Sequence, residues 1–457
     1  MITDEIKSEL KHVVGEERFF DNPEEILSFS YDAFILTSEP DVVIYPKTTE
    51  EVSGIMKIAD REKIPVTCRG SGTNISAASL PVKKGIALCF TMMNRIIEVN
   101  TRDRYVIVEP GLINGELQKV LTKEKFFYPP DPGSMNVSTI GGNIAQNAGG
   151  PRCLKYGVTS DYILAMEVVL ASGKIVRFGS RNVKDVTGYK LSSLFCGSEG
   201  TLGIITEATL RVVPIAESHR TMLATYDDLE DTANTVADII GSGILPVAME
   251  LMDKTVINVV ADASGMSLPR EAEGMLLIEV DGVEEAVEKE MSRITEKARA
   301  NGARDVTVAH TQKESDDLWA ARRLAYGAFA RLAPNCIVED VTVPVSKVPK
   351  MIKATREIVD RYQLHVGILA HAGDGNMHPL IAHDPKDKDE LRRIEQAAKE
   401  IFETGVSLGG TLSGEHGIGL AKAEFLPLVM NQDTLDLMTD IKKTLDPNGI
   451  LNPGKFV

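Results

Sequence analysis

Three glycine-dense stretches constrain this chain more than any other feature: RGSGTN at residues 69–74, DPGSMNVSTIGGNIAQNAGGP at 131–151 and GSEGTLGIITEATL at 197–210. Backbone free of side chains can come close to a bulky object, and three such places, well apart in sequence, suit one large, extended ligand. RGSGTN follows a strand-like run and invites a dinucleotide-fold reading, but GxGxxG would need glycine where Ile75 stands, and no acidic residue follows at the expected distance. No GxxxxGK[ST] occurs either. What remains in the first stretch is a Gly-Ser-Gly turn suited to presenting backbone N–H groups to a diphosphate as an anion-binding nest.

The elements around these stretches predict an α+β fold. DVVIYP reads as a strand, TTEEVSGIMKIADREK as a helix with Thr48 and Glu51 as its capping box, and IPVTCRG as the next strand, a β-α-β opening. Strand-like IALCF and YVIVEP follow, then a helix through GELQKVLTKEK and a hairpin, MEVVL-ASG-KIVRFG. After Pro214 long amphipathic helices such as EEAVEKEMSRITEKARANG alternate with strands such as MLLIEVDG, which places a domain boundary near residue 215.

Charge and cysteine usage exclude several functions. A net charge of −16 over 457 residues opposes nucleic acid and anionic membrane surfaces. The five cysteines are scattered and never spaced as CxxC, so neither an iron–sulfur cluster nor a disulfide framework is written here, in keeping with a reducing cytoplasm. The N-terminus lacks an apolar signal core and no run approaches a membrane span, so no direct membrane insertion is expected. If the protein works at a membrane, a partner subunit takes it there.

Taken together, the glycine stretches closely resemble the flavin-binding domain of the p-cresol methylhydroxylase and vanillyl-alcohol oxidase superfamily. The resemblance implies that Arg69, Gly70, Ser71, Gly72, Thr73 and Asn74 hold the FAD pyrophosphate. It implies that Pro132, Gly133, Ser134, Thr139, Gly142, Asn143, Ala145 and Gly149 lie along flavin and pyrophosphate, and that Glu199, Gly200 and Ile205 contact the adenosine-side ribityl region. Pro46 and Asn452 join the cofactor set by the same resemblance. Relatives that attach FAD covalently use a histidine in the first loop; here that loop has none, which implies non-covalent FAD.

HAGDGNMHP, residues 371–379, sets His371 and His378 on either side of a glycine-rich turn. One lone histidine would read as a satisfied structural group, but two imidazoles flanking a turn can converge on a metal, and a third ligand is then needed from elsewhere. SGEHGIG supplies Glu415 beside His416. These segments, with the C-terminal DPNGILNPGKFV, resemble the D-2-hydroxyacid dehydrogenase branch of the superfamily, which includes glycolate oxidase flavoprotein subunits, D-lactate dehydrogenases and D-2-hydroxyglutarate dehydrogenases. By that resemblance His371, His378 and Glu415 bind a divalent metal (Zn, Fe or Mn) and His416 is the catalytic base. A Trp-x-x-Arg segment, matched by Trp319 and Arg322, supplies a guanidinium for the substrate carboxylate, with Tyr326 and Asn376 as further substrate contacts. Tyr326 and Val338 stand where hydroxyglutarate enzymes carry threonine and lysine, which favours lactate or glycolate over a dicarboxylate. Arg323 stands where relatives often have glutamate.

The resemblance implies a PCMH-type FAD-binding domain of two α+β subdomains over residues 40–215, after a helical segment 1–39. An α+β, ferredoxin-like substrate domain with the metal site spans 216–420, and 421–457 returns to the FAD domain. The implied reaction passes a proton to His416 and a hydride to flavin N5. With no cluster or NAD motif in the chain, electrons leave to a partner, an electron-transferring flavoprotein or an iron–sulfur subunit leading to quinone. An oxygen-using oxidase, a hydroxyglutarate dehydrogenase and a non-catalytic FAD-binding subunit remain as alternatives, and a homodimer stays open.

Overall fold

The computed structural model describes residues 2–456. The chain divides into two units: the first runs to Gly149, takes in Val158–Ile215 and resumes from Glu415, while Gly150–Gly157 and Ala216–Gly414 form the second. One break in this division falls at Ile215. Residues 150–157 sit with the second unit because Lys155 and Tyr156 both end on Asp281, in the strand Gly274–Gly282. The last segment of the first unit begins at Glu415.

In the first unit the strands Val42–Ile44, Ile86–Cys89 and Val66–Arg69 run parallel in that spatial order, with Phe19–Phe20 antiparallel on the outer edge. The helix Thr49–Glu62 crosses between the first and last of the three and buries Val52, Ile55, Met56 and Ala59. Full burial of a side chain such as Ile55 stabilises by roughly 1.5–3 kcal/mol. Only half of the capping box forms. Thr48 accepts from Glu51 N (3.2 Å), but the Glu51 carboxylate reaches back to Lys47 N (2.7 Å) and pairs with Arg18 (2.6 Å). A second, antiparallel sheet orders Ile96–Asn100, Tyr105–Val108, Ile204–Arg211, Ile163–Val169 and Ile175–Gly179. Its last two strands are the expected hairpin, pairing Val169 with Ile175.

The second unit is an eight-stranded sheet, antiparallel throughout. Strand alternation sorts its side chains onto two faces. Met249, Leu251, Ile368, Ala370 and Met377 go to the larger core, which the helices Leu229–Gly241, Glu284–Ala300, Val348–Arg361 and Lys388–Ser407 cover. Met252, Leu369 and Leu380 go to the opposite face, under Lys254–Ser264 and Gln312–Phe329. Parity therefore places Glu250, His371 and His378 on that second face.

Candidate active site

The three glycine loops meet within the first unit. A Cβ at Gly70 would collide with Thr139 Oγ1, so the first and second loops touch only because position 70 is bare. The second joins the third through Gly197 N to Ile144 O and Glu199 N to Ala145 O, both 2.9 Å. Asn452 ties in the C-terminal segment: its Nδ2 donates to Ala78 O (2.8 Å) and Glu199 O (2.7 Å). The Glu199 carboxylate accepts from Ile418 N (2.7 Å) and Gly419 N (2.8 Å). Burial pushes this carboxyl up to about 7, against the pull of those amides and of Lys455 and Lys422.

The polar lining of these loops is incomplete without a ligand. Among the described residues, Ser76 Oγ, Ser138 Oγ, Asn143 Nδ2, Gln146 Oε1 and Asn452 Oδ1 are all buried with no hydrogen-bond partner. An unmet buried polar atom costs about 1–3 kcal/mol, so five of them around one glycine cradle fit a large polar cofactor such as FAD. Two of the expected cofactor residues also bond within the protein. Arg69 Nη1 donates to Tyr31 O, and its guanidinium stacks on the Phe29 ring, 5.2 Å from the centroid. Asn74 Oδ1 accepts from Ala78 N (2.8 Å) and Nδ2 donates to Ser79 Oγ (2.7 Å), folding its own loop. Gly133 has open space around it, Pro46 is buried just past the strand Val42–Ile44, and Ile205 lies in the strand Ile204–Arg211.

On this second face of the sheet, the helix Gln312–Phe329 makes a row of polar contacts at helical spacing. Ser315 bonds Thr221 (2.6 Å), Trp319 Nε1 donates to Glu279 (2.7 Å) and Arg322 Nε donates to Glu250 Oε2 (2.6 Å). Glu250 is fully buried and stands opposite His371 in the neighbouring strand, whose Nδ1 meets its other oxygen at 2.7 Å. Burial works against the charged form of Glu250, but His371 and Arg322 outweigh it and hold the carboxyl below its ordinary range. His371 Nδ1–H is then the donor, which leaves Nε2 as the ligating nitrogen.

The hairpin Val366–His371/Asn376–His383 brings the His371 and His378 rings to 5.1 Å between centroids. Its turn needs Gly375, where φ is +84° and any Cβ would strike Val343 O. His378 Nδ1 donates to Glu339 O (3.3 Å), so its Nε2 is again the acceptor nitrogen. Asn376 Nδ2 is taken by Asp340 and by Thr342 Oγ1 (3.0 Å). Asp340, fully buried, also accepts from Ser413 Oγ and from Gly414 N (3.0 Å). Tyr326, one turn beyond Arg322, is 47% exposed. Thus Arg322, His371, His378 and Asn376 lie together, whereas Glu415 and His416 open the first unit's last segment, directly after the Gly414 that Asp340 fixes.

Sequence reasoning missed Glu250, Asp340, Gln146, Ser76 and Ser138. Glu250 had a signal: an acid in the apolar run AMELMD has no local partner and must find a distant one.

The family profile described as "FAD binding domain" matches residues 40–179, and that described as "FAD linked oxidases, C-terminal domain" matches 215–456. The glycolate oxidase subunit GlcD of Bacillus subtilis is 44% identical over 457 residues, covering 100% of this chain and 97% of that protein. The D-lactate dehydrogenase of Archaeoglobus fulgidus is 36% identical over 92% of both chains. Solved p-cresol methylhydroxylase shares the fold at 16% identity, with a TM-score of 0.82 over 98% of this chain and 96% of that one. The chain belongs to the FAD-linked oxidases, the oxidoreductase family of the glycolate oxidase subunit GlcD and the D-lactate dehydrogenases.

Proposed function

We propose that the protein oxidises a short D-2-hydroxyacid, D-lactate or glycolate, to the 2-oxoacid, using non-covalently bound FAD. The observation that carries this reading is the buried Glu250 carboxylate, which grips Arg322 and His371 at once. Arg322 spends only Nε on it, leaving Nη1 and Nη2 to take a substrate carboxylate as a bidentate pair. Tyr326 is half-exposed one turn beyond Arg322, and neither it nor Val338 offers a cation for a second carboxylate. Asn376, committed to Asp340 and Thr342, orders the hairpin. His371 and His378, each with Nδ1 held by a protein acceptor, would with Glu415 hold a divalent ion, Zn, Fe or Mn, which would acidify a chelated hydroxyl. His416 accepts the hydroxyl proton. FAD, when bound, supplies the acceptor for the hydride that leaves C2.

The relatives' names, glycolate oxidase subunit and D-lactate dehydrogenase, support the short substrate, and "subunit" supports a protein partner as electron acceptor. We place the protein in the cytoplasm; among the described residues no helix is long and apolar enough to cross a membrane. The test is anaerobic addition of D- and L-lactate, glycolate and D-2-hydroxyglutarate to the holoenzyme while flavin absorbance is followed. D-lactate or glycolate should bleach it; a flavin that none of them bleaches removes the reading.

Two further results are expected. Acid precipitation should release the FAD into the supernatant, since no histidine stands in the first loop; flavin retained in the pellet refutes this. Chelation should abolish turnover with the FAD spectrum largely kept, and a divalent ion should restore it. Full turnover in a preparation shown to be metal-free would sink the ligand assignment.

A further inference from the structure

Ten consecutive residues, 181–190, are exposed, and they carry Val183, Val186 and Tyr189 at 59%, 97% and 93% of full exposure. The loop is anchored. At its root Arg181 pairs with Glu98 (3.2 Å) and stacks on Tyr105, 5.3 Å from the ring centroid; near its tip Asp185 accepts from Thr187 N (2.9 Å). It leaves the edge strand Ile175–Gly179, which pairs on one side only among the described residues. From Lys174 to Lys190 there are five cations (Lys174, Arg177, Arg181, Lys184, Lys190) against one anion, Asp185, in a chain of net charge −16. Arg177 and Arg181 are paired with Glu167 and Glu98, while Lys174, Lys184 and Lys190 have no ion pair among the described residues. The loop runs straight into the short helix Leu191–Phe195, whose buried Phe195 stacks on Phe178 (5.2 Å), and then into Gly197 and Glu199 of the third glycine loop.

We infer that this basic, apolar-tipped loop is the docking surface for the electron acceptor, a one-electron carrier protein with an acidic face. The inference rests on the proposed oxidation for its electron source. The net charge of this chain repels a carrier with an acidic face, which a local patch of opposite sign draws in, and one such patch lies one five-residue helix from a flavin loop. Val186 and Tyr189 supply the apolar contact that charge alone does not. In each turnover two oxidised carriers are reduced, one after the other, by the two electrons taken from the substrate, and the accompanying protons go to solvent.

The holoenzyme, its flavin photoreduced anaerobically so that no substrate is needed, is mixed with oxidised plastocyanin as an acidic carrier, cytochrome c as a basic one and dichlorophenolindophenol as a small dye. Plastocyanin reduction should slow with added salt and fall at least ~10-fold in Lys184→Glu/Lys190→Glu and in Tyr189→Ala. Dye and cytochrome c rates should stay within about twofold of the wild type. An unchanged plastocyanin rate in these variants overturns the proposal, as does an equal loss with the dye. Loop-dependent flotation with phosphatidylglycerol vesicles, or loop-dependent dimerisation in sedimentation, with the plastocyanin rate intact, assigns the surface elsewhere and overturns it too. Failure of hydroxyacids to bleach the flavin would count against the proposed function alone.

Discussion

Replacing Glu250 by alanine should destabilise the second unit by about 3–5 kcal/mol, the usual effect of removing one member of a buried charge cluster and leaving the others uncompensated. Glu250 is fully buried, so solvent does not screen the loss, and both Arg322 and His371 would be stranded. Glu250→Gln keeps the volume and one acceptor, so it should fold. It should nevertheless lose substrate affinity and about 10–100-fold in metal affinity, because Arg322 and His371 are no longer held by one charge. Urea unfolding reads the first effect, and metal titration with single-turnover flavin reduction reads the second. An alanine variant as stable as the wild type would show that the carboxylate does not organise the site. Glu279→Gln, one strand over, keeps an acceptor for Trp319 and serves as the control.

His416→Ala should keep FAD, metal and substrate binding yet lose ~10²–10⁴ in the rate of flavin reduction, the range for a removed general base. His378→Ala should instead lose the metal, and Arg322→Ala should chiefly raise the substrate concentration needed for half-maximal reduction. The three variants separate proton abstraction from ligation and from carboxylate binding. Loss of metal in His416→Ala with retention in His378→Ala would reverse the roles assigned to these histidines.

What was legible beforehand depended on how local the physics is. The glycine loops could be found because a bare backbone writes itself as a run of one residue type, and the Val169–Ile175 hairpin because period-two alternation flanks its ASG turn. The half-formed cap at Thr48 shows the limit. Glu51 has the right type and spacing, but Arg18, 33 residues away, turns its carboxylate aside. Arg69 and Asn74 sit in the first glycine loop, and their side chains brace Tyr31 and Ser79, contacts that spacing does not record. Glu250 lies 72 residues from Arg322 and 121 from His371, so only the antiparallel register reveals that all three share a row.

The division of the chain also sets an order of folding. The second unit is complete once Gly414 has been made. The first still lacks Ile450 and Leu451, which fill its core, and Asn452, whose side chain bridges Ala78 and Glu199. Leu451 also pairs in parallel with Val66, beside the strand that feeds the first glycine loop. A chain growing from its N-terminus would thus finish its middle before its beginning, reversing the usual N-terminal-first sequence. Until residue 452 emerges, the apolar faces of Val66, Ile86 and Leu88 wait without their last cover, the kind of exposed surface on which folding intermediates aggregate.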